Sequence, residues 1–394
     1  MTGIKLDLRK DRRVLLTPVE DVAESTEDDH LMNRTFLRVL VVILFVVSTT
    51  AYKIILDPPP YPSNRPPRPR IRESAHISFE DIMEYTDRFV EFMKNYDKEY
   101  TNSTEMLRRF KIYEKHMTEI TDLNRNSANG VSYGENEMSD WTDEEFEKSL
   151  LPKSFYKRLR KDAKFIRTDA PKAKERAMPA PDFFDWRARE VISPVKAQGK
   201  CGSCWAFAAT ATVEAAWAIA HGEMRNLSEQ TLLDCDLEDN ACDGGDEDKA
   251  FRYIHRNGLA YADHLPYVAR RQNTCEVDGN TTKIDVAYFL HPDEQSIIDW
   301  LLGFGPVNIG ISVTKDMRAY KGGVFTPSAY DCKNNVIGLH SLLITGYGTS
   351  KTGEKYWIVK NSWGNTWGVE NGYVYFARGI NACGIEDEPI GILA

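Results

Sequence analysis

The stretch Gln198-Gly-Lys-Cys-Gly-Ser-Cys-Trp-Ala-Phe207 combines a cysteine at the start of a predicted helix with a glutamine six residues earlier. From Trp205 to His221 the chain is rich in alanine, lacks Gly and Pro, and is followed by Gly222, which predicts a helix beginning near Cys204. The thiol would face the positive end of the helix dipole. Unpaired backbone N–H groups and that partial charge should lower the pKa of Cys204, so we predict a nucleophilic thiolate.

The segment Cys201-Gly-Ser-Cys204 also has the Cys-x-x-Cys spacing of a redox pair or of half a zinc site. The chain has seven cysteines, and no second such pair is present to complete a zinc site. An odd count in an exported chain leaves one free thiol. We therefore expect neither a metal nor a cofactor, and a thiol–disulfide oxidoreductase with a dithiol at 201 and 204 remains an alternative.

Two later blocks accompany the cysteine: Leu339-His-Ser-Leu-Leu-Ile-Thr-Gly-Tyr-Gly348 and Tyr356-Trp-Ile-Val-Lys-Asn-Ser-Trp-Gly-Asn-Thr-Trp-Gly368. Together the three blocks resemble the active-site segments of the papain family, in particular cathepsin L- and F-like cysteine proteases, over residues 179–394. The resemblance implies an α+β, papain-like two-lobed fold, with a helical lobe and an antiparallel β lobe. It also implies a cysteine-type endopeptidase that acts on protein or peptide substrates.

The resemblance implies roles for individual residues. The catalytic set would be Cys204, His340, Asn361 and Gln198, and the substrate-binding set would be Gly244, Gly245, Asp246, Leu339, Trp363 and Glu388. Gln198 would donate to the oxyanion, and Trp363 would shield the contact between His340 and Asn361. Glu388 would form the floor of the pocket for the side chain two residues before the cut, where Asp246 would add a second negative charge and favour Arg.

The resemblance also implies the disulfides Cys201–Cys242, Cys235–Cys275 and Cys332–Cys383, which use every cysteine except Cys204. Sequons at Asn102, Asn226 and Asn280 are expected to carry glycans in a lumenal protein. Short strands are predicted independently by β-rich runs between turns at 306–313, 340–346, 356–360 and 372–376.

The region before the protease has a helical pattern from Phe79 to Asn124. Glu105, Arg109, Tyr113, His116, Ile120 and Asn124 lie on one helical face and resemble the interlocking motif of the inhibitory propeptide, with Tyr113 and His116 replacing Phe and Asn. The segment Gly134-Glu-Asn-Glu-Met-Ser-Asp140 resembles its second motif. Residues 75–178 would therefore be an intramolecular inhibitor whose tail, from about Leu150, runs through the cleft. The mature enzyme would begin near Met178-Pro-Ala-Pro181.

The first 74 residues divide into three predicted segments. Residues 1–35 are polar and predicted to be a disordered cytosolic tail, and residues 57–74 form a proline-rich linker. Between them, residues 36–56 are long enough to span a membrane, although a cleaved signal peptide is the rival interpretation. Six paired cysteines require an oxidising lumen, so we expect a single-pass type II membrane protein with a lumenal catalytic domain. The segment Asp11-Arg-Arg-Val-Leu-Leu16 resembles an acidic dileucine signal, which favours a lysosome or endosome, with secretion after processing as the other possibility.

The charge balance excludes some classes of partner. The chain has 59 Asp and Glu against 50 Lys and Arg, a net charge of −9, which does not suggest a nucleic-acid partner. A catalytically silent, membrane-tethered binding module of the same fold remains an alternative to an enzyme. The chain retains all four catalytic positions, which favours the enzyme.

Overall fold

The computed structural model describes residues 79–127, 130–154, 159–173, 179–277 and 279–394. The predicted tail, membrane segment and linker lie outside these residues, as does Met178 at the predicted mature end. Within the described part of the chain, no helix combines the length and apolar character needed to cross a membrane.

The described residues contain nine α-helices: α1 Phe79–Asn95, α2 Ser103–Asn126, α3 Asp143–Lys148, α4 Leu159–Asp162, α5 Cys204–His221, α6 Gln230–Cys235, α7 Glu247–Asn257, α8 Glu294–Gly303 and α9 Ala329–Asn334. Short 3-10 helices lie at Trp186–Arg189, Ala241–Asp243, Lys315–Ala319 and Ala382–Gly384. The strands are β1 Ser132–Tyr133, β2 Phe184–Asp185, β3 Val286–Phe289, β4 Val307–Thr314, β5 Tyr320–Gly322, β6 Val324–Phe325, β7 Val336–Thr349, β8 Lys355–Lys360, β9 Tyr373–Ala377 and β10 Ile390–Leu393.

The chain divides into two compact units, one ending at Lys111 and the other beginning at Ile112. In the first unit an aromatic cluster holds α1 against the start of α2, with Phe89 stacked on Tyr100 and edge-on to Phe110. Glu105 pairs with Arg109 one turn later at 2.7 Å. The single helical stretch predicted over residues 79–124 is two helices. The chain turns between them, and Asp97 adopts a positive φ of 49°.

The second unit is built around an eight-stranded sheet with the order β3-β10-β4-β7-β8-β9-β6, and β2 pairs with β7 beside this path. The pairs are antiparallel apart from β6 with β9, which is parallel. The alternating apolar residues of β4, β7, β8 and β9 bury one core with α8. All four predicted regions contain strands. β7 is longer than predicted at both ends, β8 begins one residue earlier, and β4 and β9 each lie one residue later.

Helix α5 runs through the centre of a second core, which it forms with α6, α7, β3 and β10. Its alanines are small enough for neighbouring elements to approach it on almost every side, so twelve of its eighteen residues are buried. The predicted helix ends are confirmed: α5 starts at Cys204 and stops at Gly222, whose φ of 70° is accessible to glycine at little cost. This arrangement gives the predicted α+β fold, with one helical lobe and one antiparallel lobe.

Three disulfides link Cys201 to Cys242, Cys235 to Cys275 and Cys332 to Cys383. These are the pairs implied by the family resemblance. Cys204 is the remaining free cysteine. Because Cys201 is bonded to Cys242, the dithiol required by the oxidoreductase alternative is absent from this structure.

Candidate active site

Cys204 lies at the first residue of α5, where the helical lobe meets β7 of the antiparallel lobe. Its side chain is fully buried, and the backbone N–H of Ser341 on β7 is a hydrogen-bond donor to the thiol. His340 precedes Ser341 in the same strand. The helix start and the strand therefore bring the predicted nucleophile and base to one place.

His340 is held by residues that follow β8. The antiparallel register places Leu343 opposite Lys360, and the chain beyond Lys360 then returns alongside His340. The Oδ1 atom of Asn361 lies 2.7 Å from Nε2 of His340, and the Trp363 ring stacks on the imidazole at 4.6 Å. Because Oδ1 can only accept, Nε2 carries the hydrogen and Nδ1 presents a lone pair. Nδ1 has no hydrogen-bond partner among the described residues.

The protonation state differs from the prediction. Burial raises the pKa of Cys204 to about 12, against the lowering effect of nearby backbone N–H groups. Burial also lowers the pKa of His340 to about 4, despite its bond to Asn361. The expected lowering of the cysteine pKa is therefore wrong for this form of the chain, since loss of water outweighs the field of the helix. Both groups are neutral here.

Gln198 has its side-chain amide directed at the preceding region of the chain. Its Nε2 donates to the carbonyl of Ser149 at 2.7 Å and to that of Cys201 at 2.8 Å, while Oε1 accepts from Ser362 at 2.7 Å. The donor assigned to the oxyanion is thus already bonded to a backbone carbonyl of residue 149. This contact satisfies the amide without any bound substrate.

Residues 149–151, here called the covering segment, are all buried. Leu151 and Leu339 form an antiparallel bridge, with N–H to O distances of 2.8 and 2.9 Å. A Cβ atom on Gly338 would lie 2.7 Å from Cβ of Leu150, so only glycine allows this approach. The covering segment therefore lies against the strand that carries His340, and it contributes to the burial of the site.

The chain beyond the covering segment continues to follow the protease surface. The Asp248 carboxylate accepts three successive backbone N–H groups, from Lys164, Phe165 and Ile166, at 2.9, 2.8 and 2.8 Å. Arg167 then pairs with β3 through its N–H to Ala287 and its carbonyl from Phe289. Sequence reasoning missed Asp248, whose position after Asp246 and Glu247 at the start of α7 gave no distinct signal.

A small pocket is lined by His340 and by Leu151 of the covering segment. Its other lining residues are Gly245, Asp246, Glu247, Asn308, Gly310, Leu339, Ser341, Glu388 and Ile390. Oε1 of Glu388 accepts the N–H of Arg160 at 3.1 Å, and burial raises the pKa of this carboxyl. The structure thus brings together the predicted pocket residues Gly245, Asp246, Leu339 and Glu388.

Two acidic residues of this pocket have partners that the sequence did not indicate. Asp246 caps α7: its carboxylate accepts the N–H of Lys249 at 3.0 Å and lies 3.1 Å from the Lys249 ammonium. The predicted second negative charge is therefore largely committed to the helix start and to Lys249. Glu247, which sequence reasoning missed, is buried and accepts the hydroxyl of Ser341, and burial raises its pKa to about 7.

Within the second unit, His116 and Asn136 contact Arg318 of the antiparallel lobe. The Asn136 amide donates to the Arg318 carbonyl at 2.8 Å, and the Arg318 guanidinium lies 2.6 Å from Nε2 of His116. The other ring nitrogen of His116 lies 2.8 Å from the carbonyl oxygen of Ser139. His116, which stands where the family motif has Asn, is therefore buried at this contact.

The remaining predicted site residues have simple surroundings. Asn102, Asn226 and Asn280 are all exposed, as a glycan would require, and their glycosylation stays a prediction. Trp363 is buried between His340 and Trp367 rather than open to solvent. In the described ranges no group of three or more His, Cys, Asp or Glu side chains is arranged to hold a metal ion.

Comparisons with known proteins agree with this geometry. Residues 180–393 match the papain family cysteine protease profile, and residues 89–146 match the cathepsin propeptide inhibitor domain (I29). Cathepsin F of Drosophila melanogaster is 36% identical over 309 residues, covering 76% of this chain but 49% of its own length, so the chain spans about half of that relative. Fruit bromelain of Ananas comosus is 34% identical and covers 77% of this chain and 85% of its own.

Solved structures give the same result. Digestive procathepsin L 3 of the Tenebrio molitor larval midgut superposes with a TM-score of 0.68 at 31% identity, covering 79% of this chain and 99% of its own. A recombinant stem bromelain precursor has a TM-score of 0.65 at 31% identity, with coverages of 79% and 99%. The similarity therefore includes the region before the protease.

Proposed function

The chain belongs to the papain family of cysteine proteases and is a zymogen with an I29 propeptide, and from this premise we propose how its residues hydrolyse peptides. The observation that carries the proposal is the bond from Gln198 Nε2 to the Ser149 carbonyl at 2.7 Å. A peptide carbonyl already occupies the donor that the oxyanion would need. The enzyme is a cysteine-type endopeptidase, and the covering segment acts as its intramolecular inhibitor.

Release of the covering segment is the first step that we propose. Water would then reach Cys204 and His340. This removes the burial that raises the pKa of Cys204 and lowers the pKa of His340 in the zymogen. The thiol proton can move to Nδ1 of His340, the nitrogen that has no partner among the described residues. The field at the start of α5 then favours the thiolate.

The chemical steps follow from the positions of these groups. The Cys204 thiolate attacks the carbonyl carbon, and the negative charge moves to oxygen, which accepts from Gln198 Nε2 and the Cys204 backbone N–H. His340 donates its Nδ1 proton to the leaving amine as the C–N bond breaks, which leaves a thioester. A water, deprotonated by His340, then attacks the thioester, and collapse releases a carboxylic acid and the thiol. Asn361 keeps the imidazole oriented through Nε2.

Substrate binding would use the same surfaces as the propeptide. No described residue hydrogen-bonds to the Gly245 backbone, so both its N–H and its carbonyl are free for an extended peptide. Glu388 and Glu247 line the adjacent pocket, whose described lining residues include no Lys or Arg. We propose that this pocket accepts Arg as well as Leu, the residue type that lines it in the zymogen.

The location of the enzyme is also a proposal. Three disulfides support folding in an oxidising lumen, and three exposed sequons are compatible with it. We propose membrane attachment through residues 36–56, with delivery to lysosomes or endosomes or secretion after processing. Detection of glycans at Asn102, Asn226 and Asn280, together with carbonate-resistant membrane association of the uncleaved chain, would test it.

A thiol-directed epoxide tests the catalytic proposal directly. Full-length protein would be acidified and then labelled, beside a Cys204→Ala variant. We expect labelling of the wild type alone, accompanied by hydrolysis of a fluorogenic peptide. Labelling without hydrolysis would favour the catalytically silent module, and labelling of both proteins or of neither would refute the assignment of Cys204.

A further inference from the structure

Two buried carboxyl groups lie beneath the cleft edge, at Asp236 and Asp239, with exposures of 3% and 1%. Oδ1 of Asp236 accepts the N–H of Glu238 at 3.1 Å. Oδ1 of Asp239 accepts the N–H of Asp246 at 3.0 Å and the Lys249 ammonium at 3.3 Å. The second oxygen, Oδ2, of each carboxyl has no donor from any described residue. Two buried acceptors are thus left without a hydrogen.

The side chains of Asp236 and Asp239 interact with each other, and the Arg271 guanidinium donates to the backbone carbonyls of both residues, at 3.0 and 2.7 Å. An acceptor can bond to another acceptor only if one of them is protonated. A single proton shared by Asp236 and Asp239 would supply a donor within the pair, whereas two carboxylates would have no hydrogen between them and would repel each other.

Asp239 is also part of the wall that holds Gly245. A Cβ atom on Gly245 would lie 2.9 Å from Cγ of Asp239 and 2.4 Å from the ring of Trp205, the residue after Cys204. The neighbouring turn is closed by the bond from Asn240 N–H to the Gly244 carbonyl at 2.8 Å. Gly245 is therefore packed against both Asp239 and Trp205, the second residue of α5.

We propose that Asp239 is a positioning residue for the peptide substrate: the proton that it shares with Asp236 keeps Gly245 in register with Cys204. The proposal deepens the proposed function, because it relies on Gly245 binding the substrate backbone. Asp239 itself does not touch the substrate. It acts through the Asp246 N–H, which follows Gly245, and through its contact with Gly245.

The charges around the pair determine its pH range. Lys249 faces Asp239 and lowers its pKa, while Asp246 and Asp236 raise it, and Glu238 faces Asp236. Burial has the largest effect, and the pKa of Asp239 rises to about 8. The Arg271 guanidinium bonds to the backbone carbonyls of Asp236 and Asp239 rather than to their carboxylates. The pair thus keeps its proton at acidic pH and loses it in mildly alkaline solution.

The test is the pH dependence of KM and kcat in the activated enzyme, from pH 5 to pH 9, with a fluorogenic peptide. For the wild type we expect KM to rise about tenfold between pH 6 and pH 9, the size expected for one lost charge-assisted hydrogen bond. In Asp239→Asn the amide supplies a permanent hydrogen to Asp236, so KM should change less than twofold. Asp239→Ala should have a raised KM at every pH. The pH profile of kcat should be the same in the wild type and in both variants.

Asp243→Asn is the matched control, because it removes one negative charge from an exposed position of the same loop. Its KM should follow the wild-type curve. Active-site titration with the epoxide counts the folded enzyme, and Asp236→Asn places the amide on the other partner if Asp239→Asn does not fold. A wild-type KM that stays flat to pH 9, or Asn variants that follow the wild-type curve, would overturn the proposal. Absence of Cys204-dependent hydrolysis in the wild type would instead overturn the proposed function.

Discussion

We predict that His116 makes the release of the propeptide sensitive to acid. One ring nitrogen faces the Ser139 carbonyl, which only accepts, and the other faces the Arg318 guanidinium, which only donates. The ring is therefore neutral, with its hydrogen on Nδ1. A second proton would remove the bond to Arg318 and place two cations in contact. His116 and Arg318 border a cavity of about 770 Å³, which gives solvent protons access to the contact.

The magnitude follows from the pKa of His116, which burial and then Arg318 lower to about 4, against the opposing effects of Ser139, Glu119 and Asp143. Because the pKa of His116 is lower in the docked state than in the free state, docking weakens as the pH falls below the free pKa of about 6.5. The loss of docking free energy is complete below about pH 4. The shift corresponds to at most ~3.4 kcal/mol. At pH 5 the loss is about 2 kcal/mol, or ~30-fold in the docking equilibrium.

His116→Asn tests this reasoning, because Asn can donate to Ser139 and accept from Arg318 without titrating. The rate of epoxide labelling of Cys204 in each zymogen is divided by the rate for mature enzyme at the same pH. We expect this relative rate to be up to ~30-fold lower in His116→Asn than in the wild-type zymogen at pH 5, and equal in the two at pH 7.5. His291→Asn is the control, since His291 is exposed. Equal acid-induced labelling in His116→Asn and wild type would refute the role of His116.

Three further outcomes follow from the site. Gln198→Ala should lower kcat by ~10² to 10³ with little change in KM, because it removes one donor to the oxyanion. Steady-state kinetics of the activated enzyme measure both constants, and a change in KM alone would contradict this prediction. Glu388→Ala should reduce the preference for Arg over Leu about tenfold. In the wild type this preference should fall between pH 6 and pH 4 as the Glu388 carboxylate is protonated. Paired peptides that differ only at this position measure both effects, and an Arg/Leu ratio unchanged by the mutation would refute the assignment of Glu388 to the pocket. Asp248→Asn should weaken the docking of residues 164–166 and raise the rate at which Cys204 is labelled in the zymogen at pH 7. Asp243→Asn is the control, and an equal labelling rate in the two variants would show that the three N–H bonds do not hold the tail.

Local pattern was sufficient for the elements that carry the site. The alanine-rich run from Cys204 and the glycine at 222 predicted α5 because helix propensity and the C-terminal stop depend on neighbouring residues. Alternating β-branched and aromatic residues likewise predicted β4, β7, β8 and β9. The disulfide partners needed the family resemblance, since seven cysteines alone leave many pairings open.

Long-range packing decided what the sequence could not. The pKa of Cys204 depends on burial, to which a segment more than fifty residues earlier contributes, and this effect outweighs the helix field that the sequence predicted. Asp246 looked like a free pocket charge until the structure paired it with Lys249. Glu247 meets Ser341, 94 residues away in the chain, so no local pattern could indicate it.

The same distinction explains the two proton-sensitive contacts. His116 and Arg318 are 202 residues apart, and a histidine on a helix carries no sign of whether its ring will be exposed or held between a carbonyl and a guanidinium. The sequence by itself determined helix α5, the strands β4, β7, β8 and β9, and the chemical types of the active-site residues, because these depend on neighbours within a few positions. The tertiary structure alone decided their protonation and partners, because both depend on which distant groups exclude water from them.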